Sequence, residues 1–448
     1  MRTHLNIPVL VKKLGVTELS EEVAKRIAKG LEEEGNRMVE IVGALINIHK
    51  SDYSDTRAIR DKFQGMTVEV THYGSELCLH CQNVPQDCLY DGKNVIWESV
   101  EQVTSALRDI IFRPAPPPPW SSSEKNSAYV KKFAEHSGFL YRGERGLVSF
   151  TWGGHRVGLE EYDFAKDLNY WLALCMPDME NITGCGTGIM KAPFKGAQIA
   201  YGKQRTFRRF GPRDFIGFTE KNILAAEAPN ELVNRLLVFP NVEMRMEAFI
   251  RASHMGRAHP GGPGTIEEIL TILAVLSDPR NQDIPFQFDL VERQDGAYFR
   301  HLHDFLTTCF NNELEQYYNI HVGSPDTYAR SLTETTKYLP MRYLWNDDLH
   351  FDERVQTPFE VTFDSMESLD LTTDQPPMDL LVNLRRFFSS IVHLSVKDPD
   401  LLDSWGDDRP LIKGTPKILK ATDKLVRSLE SQGRIHPNKK YSSPYRVQ

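Results

Sequence analysis

The chain has 448 residues, more than one hydrophobic core holds, so two or three domains are expected. Its 40% hydrophobic and 25% charged content is ordinary for a globular protein in water. A net charge of −8, with an isoelectric point near 6.0, argues against nucleic acid as the partner. No run approaches the roughly 18 apolar residues of a membrane span, and Met1 to Lys13 lack a signal-peptide core. A cytoplasmic protein with no membrane partner is expected.

Apolar residues recur at helical spacing over 21–48, at Val23, Ile27, Leu31, Val39, Val42 and Leu45. A strand is expected over 66–70 and a second amphipathic helix over 95–112. Between them Cys78, Cys81 and Cys88, with His72 and His80, outline part of a zinc site. A structural site needs four ligands in paired knuckles; one CxxC and a single further cysteine fit free thiols better, so no metal is expected. The proline- and serine-rich run at 114–123 predicts an extended linker. The expected division is an N-terminal accessory domain over 1–113, this linker, a central domain over 124–324 and a C-terminal accessory domain over 325–448.

From Leu147 the pattern becomes strand, glycine turn, helix, repeated. Strands are expected over 147–152, around Ile182, over 214–218 and over 236–239. Helices are expected over 163–174, from the second glycine turn through Ala200, and over 243–253. Alternating strands and helices predict an α/β fold: a Rossmann-like, doubly wound parallel sheet flanked by the two accessory α+β domains. Ligands of such sheets bind beyond the carboxyl ends of the strands, so the glycine turns at 153–154, 184–188 and 261–264 are expected to converge on one crevice. After Ser324 the rhythm stops, and helices over 379–396 and 415–429 are expected in the C-terminal domain.

The chemistry concentrates in Pro260-Gly261-Gly262-Pro263-Gly264-Thr265-Ile266-Glu267-Glu268, ahead of a predicted helix over 266–277. The first N–H groups of a helix have no internal partner and its dipole favours an anion, so Gly261, Gly262, Gly264 and Thr265 form a candidate phosphate cradle. Glu267 and Glu268, in the expected first turn, would repel that phosphate unless one serves chemistry beside it. Gly184-x-Gly186-x-Gly188 lacks the GxGxxG spacing of a dinucleotide fingerprint and is assigned to the base and ribose side of the pocket. Arg245 lies in the first turn of its helix, where a surface salt bridge is the plain alternative. Glu227, Asn230 and Asn234 form a polar cluster whose plain alternative is a solvated turn.

Taken in order, Thr183-Gly184-Cys185-Gly186-x-Gly188-x-Met190, Ala226-Glu227-x-Pro229-Asn230-x-Leu232-Val233-Asn234, Arg245-x-Glu247-Ala248-Phe249 and the Pro260–Glu268 motif resemble the nucleotide 5′-monophosphate nucleosidases. These are long relatives of the LOG phosphoribohydrolases, once mislabelled lysine decarboxylases. The resemblance is dense over 147–276. It implies hydrolysis of the N-glycosidic bond of AMP, GMP, IMP, CMP or UMP to a free base and ribose 5-phosphate, without a cofactor. It implies that Glu268 and Arg245 act at the ribose, with Glu267 beside them. Gly154, Gly184, Gly186, Gly188, Met190, Glu227, Asn230 and Asn234 are assigned to substrate binding alongside the cradle. A homotetramer and a guanosine alarmone effector are further implications of the resemblance.

Two features depart from that family pattern. Met255-Gly256-Arg257-Ala258-His259 replaces an apolar strand, and Pro263 removes a backbone N–H from the loop. They motivate an alternative, a nucleotide-binding regulatory protein whose catalytic loop has decayed. A lysine decarboxylase fits poorly, because no lysine for a Schiff base lies in the glycine motif or its helix.

Overall fold

A computed structural model describes residues 2–16, 20–47, 55–118, 121–140, 146–204, 214–340, 342–346, 348–435 and 443–447. Ile48 of the first predicted helix and Pro119 and Trp120 of the linker lie outside the described residues. In chain order the N-terminal elements are β1 (Arg2–Pro8), α1 (Ser20–Glu34), α2 (Asn36–Ile46), α3 (Thr56–Lys62), β2 (Thr67–Tyr73), β3 (Glu76–Pro85), α4 (Trp97–Ile110) and α5 (Ser123–His136). The central run is β4 (Val148–Trp152), α6 (Leu159–Cys175), β5 (Glu180–Thr183), α7 (Ala192–Gln204), β6 (Ile216–Glu220), β7 (Arg235–Phe239), α8 (Val242–Arg251), β8 (Met255–Ala258) and α9 (Pro263–Leu276). It continues through β9 (Gln287–Arg293), α10 (Tyr298–Phe310) and β10 (Asn319–Gly323). The last elements are α11 (Pro325–Thr336), α12 (Glu353–Gln356), α13 (Phe363–Glu367), β11 (Asp370–Leu371), α14 (Pro377–Val392), α15 (Pro399–Ser404), β12 (Leu411–Gly414), α16 (Pro416–Ser431) and β13 (Arg446–Val447).

A seven-stranded sheet runs β10-β9-β8-β4-β5-β6-β7. Chain order moves outward from β4 to β7, then returns beside β4 and moves outward again through β8, β9 and β10. This is the expected doubly wound α/β sheet, with its reversal between β4 and β8. The single helix predicted over 21–48 is two, because Gly35 takes a positive φ of 52° that ends α1. Strands β9 and β10 were not expected. β10 shows its residues to solvent, with Ile320 and Val322 exposed, and so lacks the apolar run that marks a buried strand.

The chain forms two compact units, 1–144 with 184–187 and 214–245, and 145–183 with 188–213 and 246–448. In the first unit β1, β3 and β2 form an antiparallel sheet. Arg108 of α4 grips Asp109 through two bonds of 2.7 Å and donates to the Leu236 carbonyl, while Asp109 accepts from the Val238 N–H at 2.8 Å. This buried pair anchors α4 to β7. Removing either partner would leave an uncompensated buried charge.

In the second unit β4 and β8 pair in parallel, with Phe150 opposite Gly256. A side chain on Gly256 would collide with the Phe150 ring, so the glycine there is a packing requirement. Helix α14 packs along α9, and Val392 lies 3.6 Å from where a Cβ on Gly264 would stand. This cover explains why α9 is buried from Thr265 to Leu276. Small parallel pairings link β11, β12 and β13. Among the described residues no helix is long and apolar enough to cross a membrane.

Candidate active site

The turns after β4 and β8, at the sheet's reversal point, meet directly. The Gly154 N–H donates to the Pro260 carbonyl at 3.2 Å, and the Gly154 carbonyl accepts from the Ile189 N–H at 3.0 Å. Gly154 therefore joins the loop before α9 to the 3-10 turn Gly188–Met190. Gly188 has φ 62°, and a Cβ on it would stand 2.6 Å from the Gly154 carbonyl. A Cβ on Gly261 would strike the Thr265 hydroxyl and stand 2.7 Å from the Gly154 nitrogen. These contacts bring Gly154, Gly188, Met190, Gly261, Gly262, Gly264 and Thr265 to one place in the second unit.

Helix α9 begins earlier than the sequence pattern predicts. Gly262 is its N-cap and Pro263 its first residue, so Gly264 and Thr265 lie inside the first turn. The Thr265 and Ile266 N–H groups both turn back to the Gly262 carbonyl, at 3.1 and 3.3 Å. Gly264 is left with a first-turn N–H that has no helical carbonyl to bond. Pro263 occupies the position where proline's fixed φ suits helix initiation and a missing N–H costs no helical bond. Pro263 therefore suits the start of α9, and it still withholds one N–H from the loop.

Glu267 and Glu268 are likewise not in the first turn, which holds no acidic residue. They sit one turn further in, and both are buried. Helical side chains lean toward the N-terminus over the residues three and four earlier, which sets Glu268 over Thr265 and Gly264. A carboxylate one turn below the anion end repels a bound phosphate less and can reach atoms beside it. Glu267 Oε1 is buried without a hydrogen-bond partner.

Arg257 and His259 are both fully buried. Met255, on the same face of β8, packs with Leu168 and Leu172 of α6 and Tyr328 and Leu332 of α11. Arg257 donates to the Thr151 hydroxyl at 3.2 Å; burial pulls its pKa below the ordinary arginine value, and Tyr328 and the Asp289 carboxylate offset part of that cost. Asp289 accepts from Tyr328 at 2.7 Å, Asn319 at 3.0 Å and Gln287 at 2.7 Å. Arg257 thus belongs to a polar layer beneath the helices, with its Nε and Nη1 buried without a hydrogen-bond partner among the described residues.

His259 stacks edge-on against Phe164, with both ring nitrogens lacking a hydrogen-bond partner. Burial, reinforced by the Arg257 charge, pulls its pKa from the ordinary 6.5 down to about 3. The folded state therefore keeps His259 neutral. Its contribution is fully present above pH 6.5 and is lost as pH falls toward 3, because the unfolded chain takes up the proton first. A His259→Phe variant should melt at a higher temperature than wild type at pH 5 and show a flatter fall between pH 7 and pH 5. Parallel slopes in a calorimetric pH series would show that this histidine is not the titrating group.

The first unit holds the remaining predicted residues. The Asn230 side chain is buried and donates to the Cys185 and Gly186 carbonyls at 2.8 and 2.9 Å, while its backbone N–H also reaches the Cys185 carbonyl. Cys185 has φ 62°, unusual for a residue with a Cβ, and Asn230 holds it there. Gly184, Gly186 and Asn230 thus form one braced turn, and the solvated-turn reading of Asn230 is corrected. Asn234 accepts from the Phe215 N–H at 2.9 Å, which places it at the start of β6. Glu227 is half-buried on the segment leading to Asn230. Arg245, in the first turn of α8, is only 8% exposed, so the surface salt bridge does not describe it.

Cys81 and Cys88 are buried thiols, pushed up to about 12 and 11 by desolvation. Among the described residues no group of three or more His, Cys, Asp or Glu is placed to hold a metal ion. Three residues that the sequence pattern does not single out surround the glycine loop: Glu161, Tyr298 and Arg434. Their only sequence signal is position, after a glycine turn, after β9 and after the last long helix.

A doubly wound parallel sheet with a glycine loop and a helix start at its reversal point is an α/β fold of the Rossmann-like, LOG type. Two family models match the chain, "Possible lysine decarboxylase" over residues 190–322 and "Pyrimidine/purine nucleotide monophosphate nucleosidase, C-terminal" over 329–448. The pyrimidine/purine nucleotide 5′-monophosphate nucleosidases of Escherichia coli K12 and O157:H7 are each 29% identical over 412 residues, covering 88% of this chain and 89% of their own. The chain is similar to these nucleosidases over most of its length. Among solved structures, a molybdenum cofactor binding protein from Rippkaea orientalis aligns over 44% of this chain and 99% of its own, at 17% identity and a TM-score of 0.32. The Moco carrier protein from Chlamydomonas reinhardtii aligns over 44% of this chain and 100% of its own, at 17% identity and a TM-score of 0.30.

Proposed function

We propose that this protein hydrolyses the N-glycosidic bond of nucleoside 5′-monophosphates. The observation that carries the reading is the junction of Gly154, Gly261 and Thr265 at the head of α9, with Glu268 buried one turn below. The 5′-phosphate binds at the loop and the Gly264 end of the helix. This remote contact fixes the ribose, so that binding energy is used to orient the reacting carbon. The C1′–N bond breaks with its electron pair leaving on the base, and positive charge develops on the sugar ring. Glu268 stabilises that charge and takes a proton from the water that adds to C1′, and a proton is returned, directly or through solvent, to the departing base, so that one water is consumed. The resemblance assigns Arg245 to the ribose, and Glu267 is a second carboxylate next to Glu268 on α9. The resemblance assigns Gly184, Gly186, Glu227, Asn230 and Asn234 to substrate binding.

Purified protein incubated with AMP, GMP, IMP, CMP and UMP should release free base and ribose 5-phosphate. AMP should be cleaved with a kcat/KM at least about a hundredfold above that of adenosine, since only AMP engages the loop. Equal rates on the two would remove the phosphate anchor from the mechanism. Cytoplasmic location, a homotetramer, a guanosine alarmone effector and the domain limits at 113, 124 and 324 complete the proposal. Sedimentation and titration with alarmone test the assembly and the effector.

A further inference from the structure

We propose that Arg434, in the C-terminal segment just after α16, is a positioning residue for the phosphate loop, tying three strand-to-helix turns of the second unit into one frame. The inference deepens the nucleosidase reading and rests on it for the identity of the anion.

The Arg434 guanidinium pairs with both carboxylate oxygens of Glu161, at 2.5 and 3.3 Å. Glu161 lies in the first turn of α6, which follows the Gly153-Gly154 turn. The same guanidinium lies over the Tyr298 ring, 5.1 Å from its centroid, and its Nε donates to Gln432 at 2.8 Å. Tyr298 opens α10, directly after β9, and its hydroxyl is buried beside the Gly261 backbone. Glu292 fixes Tyr298 from the other side by accepting the N–H groups of Tyr298 and Phe299 at 3.0 and 3.2 Å. The Arg434 backbone also touches the loop: a Cβ on Gly262 would stand 2.6 Å from the Arg434 carbonyl.

One residue therefore reaches the turn after β4 through Glu161, the turn after β9 through Tyr298 and the loop after β8 through its carbonyl. Its Nε and both terminal nitrogens each hold a neighbour, so its role is to fix these elements around the loop. The Arg434–Glu161 pair is largely shielded from solvent, with side chains 10% and 20% exposed, and its geometry is bidentate. A lysine could supply the charge but not the fork or the flat face over Tyr298.

The test uses the full-length protein and two readouts. One is steady-state hydrolysis of AMP, and the other is calorimetric affinity for ribose 5-phosphate, which does not require turnover. Arg434→Ala should raise KM and weaken ribose 5-phosphate by about ten- to a hundredfold, with kcat changed less than about threefold. Arg434→Lys should recover only part of the affinity. Glu161→Gln should shift both readouts in the same direction and keeps the proposal testable if Arg434→Ala does not fold. A folded Arg434→Ala protein with wild-type affinity for ribose 5-phosphate would overturn the proposal. So would a loss confined to kcat. Wild-type protein that binds ribose 5-phosphate yet cleaves no monophosphate would refute the nucleosidase reading while leaving the Arg434 affinities to be read independently.

Discussion

Glu268→Gln should lower kcat for AMP by about two to three orders of magnitude while leaving KM within about threefold of wild type. Glutamine keeps the shape and one carbonyl oxygen but removes the charge. The charge matters most when the sugar ring becomes positive, so its loss falls on the transition state. Ground-state binding stays with the glycine loop, which Glu268 underlies but does not form. Burial of this carboxylate raises the stake, because little water is present to take over its role. Steady-state kinetics with quantified base release decides the matter. Near-normal kcat would move the catalytic role to Glu267, whose Oε1 is buried without a hydrogen-bond partner.

Gly261→Ala should be nearly as damaging by a different route. A methyl group there meets the Thr265 hydroxyl on one side and the Gly154 backbone nitrogen, at 2.7 Å, on the other. The side chain of Thr265 can rotate away, but the Gly154 backbone is held by the Pro260 and Ile189 bonds. The loop must therefore part from the turn after β4, and the phosphate site opens. Affinity for ribose 5-phosphate should fall by about a hundredfold, with KM for AMP rising in parallel. The melting temperature should drop by only a few degrees, since the helix core below is untouched. Unchanged affinity in a folded Gly261→Ala protein would show that phosphate binds elsewhere.

The fate of each sequence-level expectation follows from the range over which its cause acts. The strands over 147–152 and 236–239, the helices over 95–112 and 243–253 and the glycine turns were legible within one or two turns of chain. Their causes are short-range: amphipathic period, strand length and glycine spacing. The start of α9 was misjudged by three residues because Pro263 was weighed as a loop residue, although proline also opens helices. β10 was missed because its side chains face solvent and carry no apolar run.

Sequence alone therefore determined the α/β class, the glycine-loop motif and the candidate glutamates, since each is written in contiguous residues. Only the tertiary structure decided what surrounds them. Asn230 braces Cys185 across 45 residues, Arg257 finds Thr151 across 106, and Arg434 finds Glu161 across 273. Partners that far apart meet because strand order and helix packing bring their segments together, and no local pattern records which distant charge will be waiting. The same reason explains why the sequence shows Arg257 only as a charge on a buried strand, while the fold sets Thr151 and Asp289 near it. Burial of a charge costs less where partners stand beside it, and partners are a property of the fold.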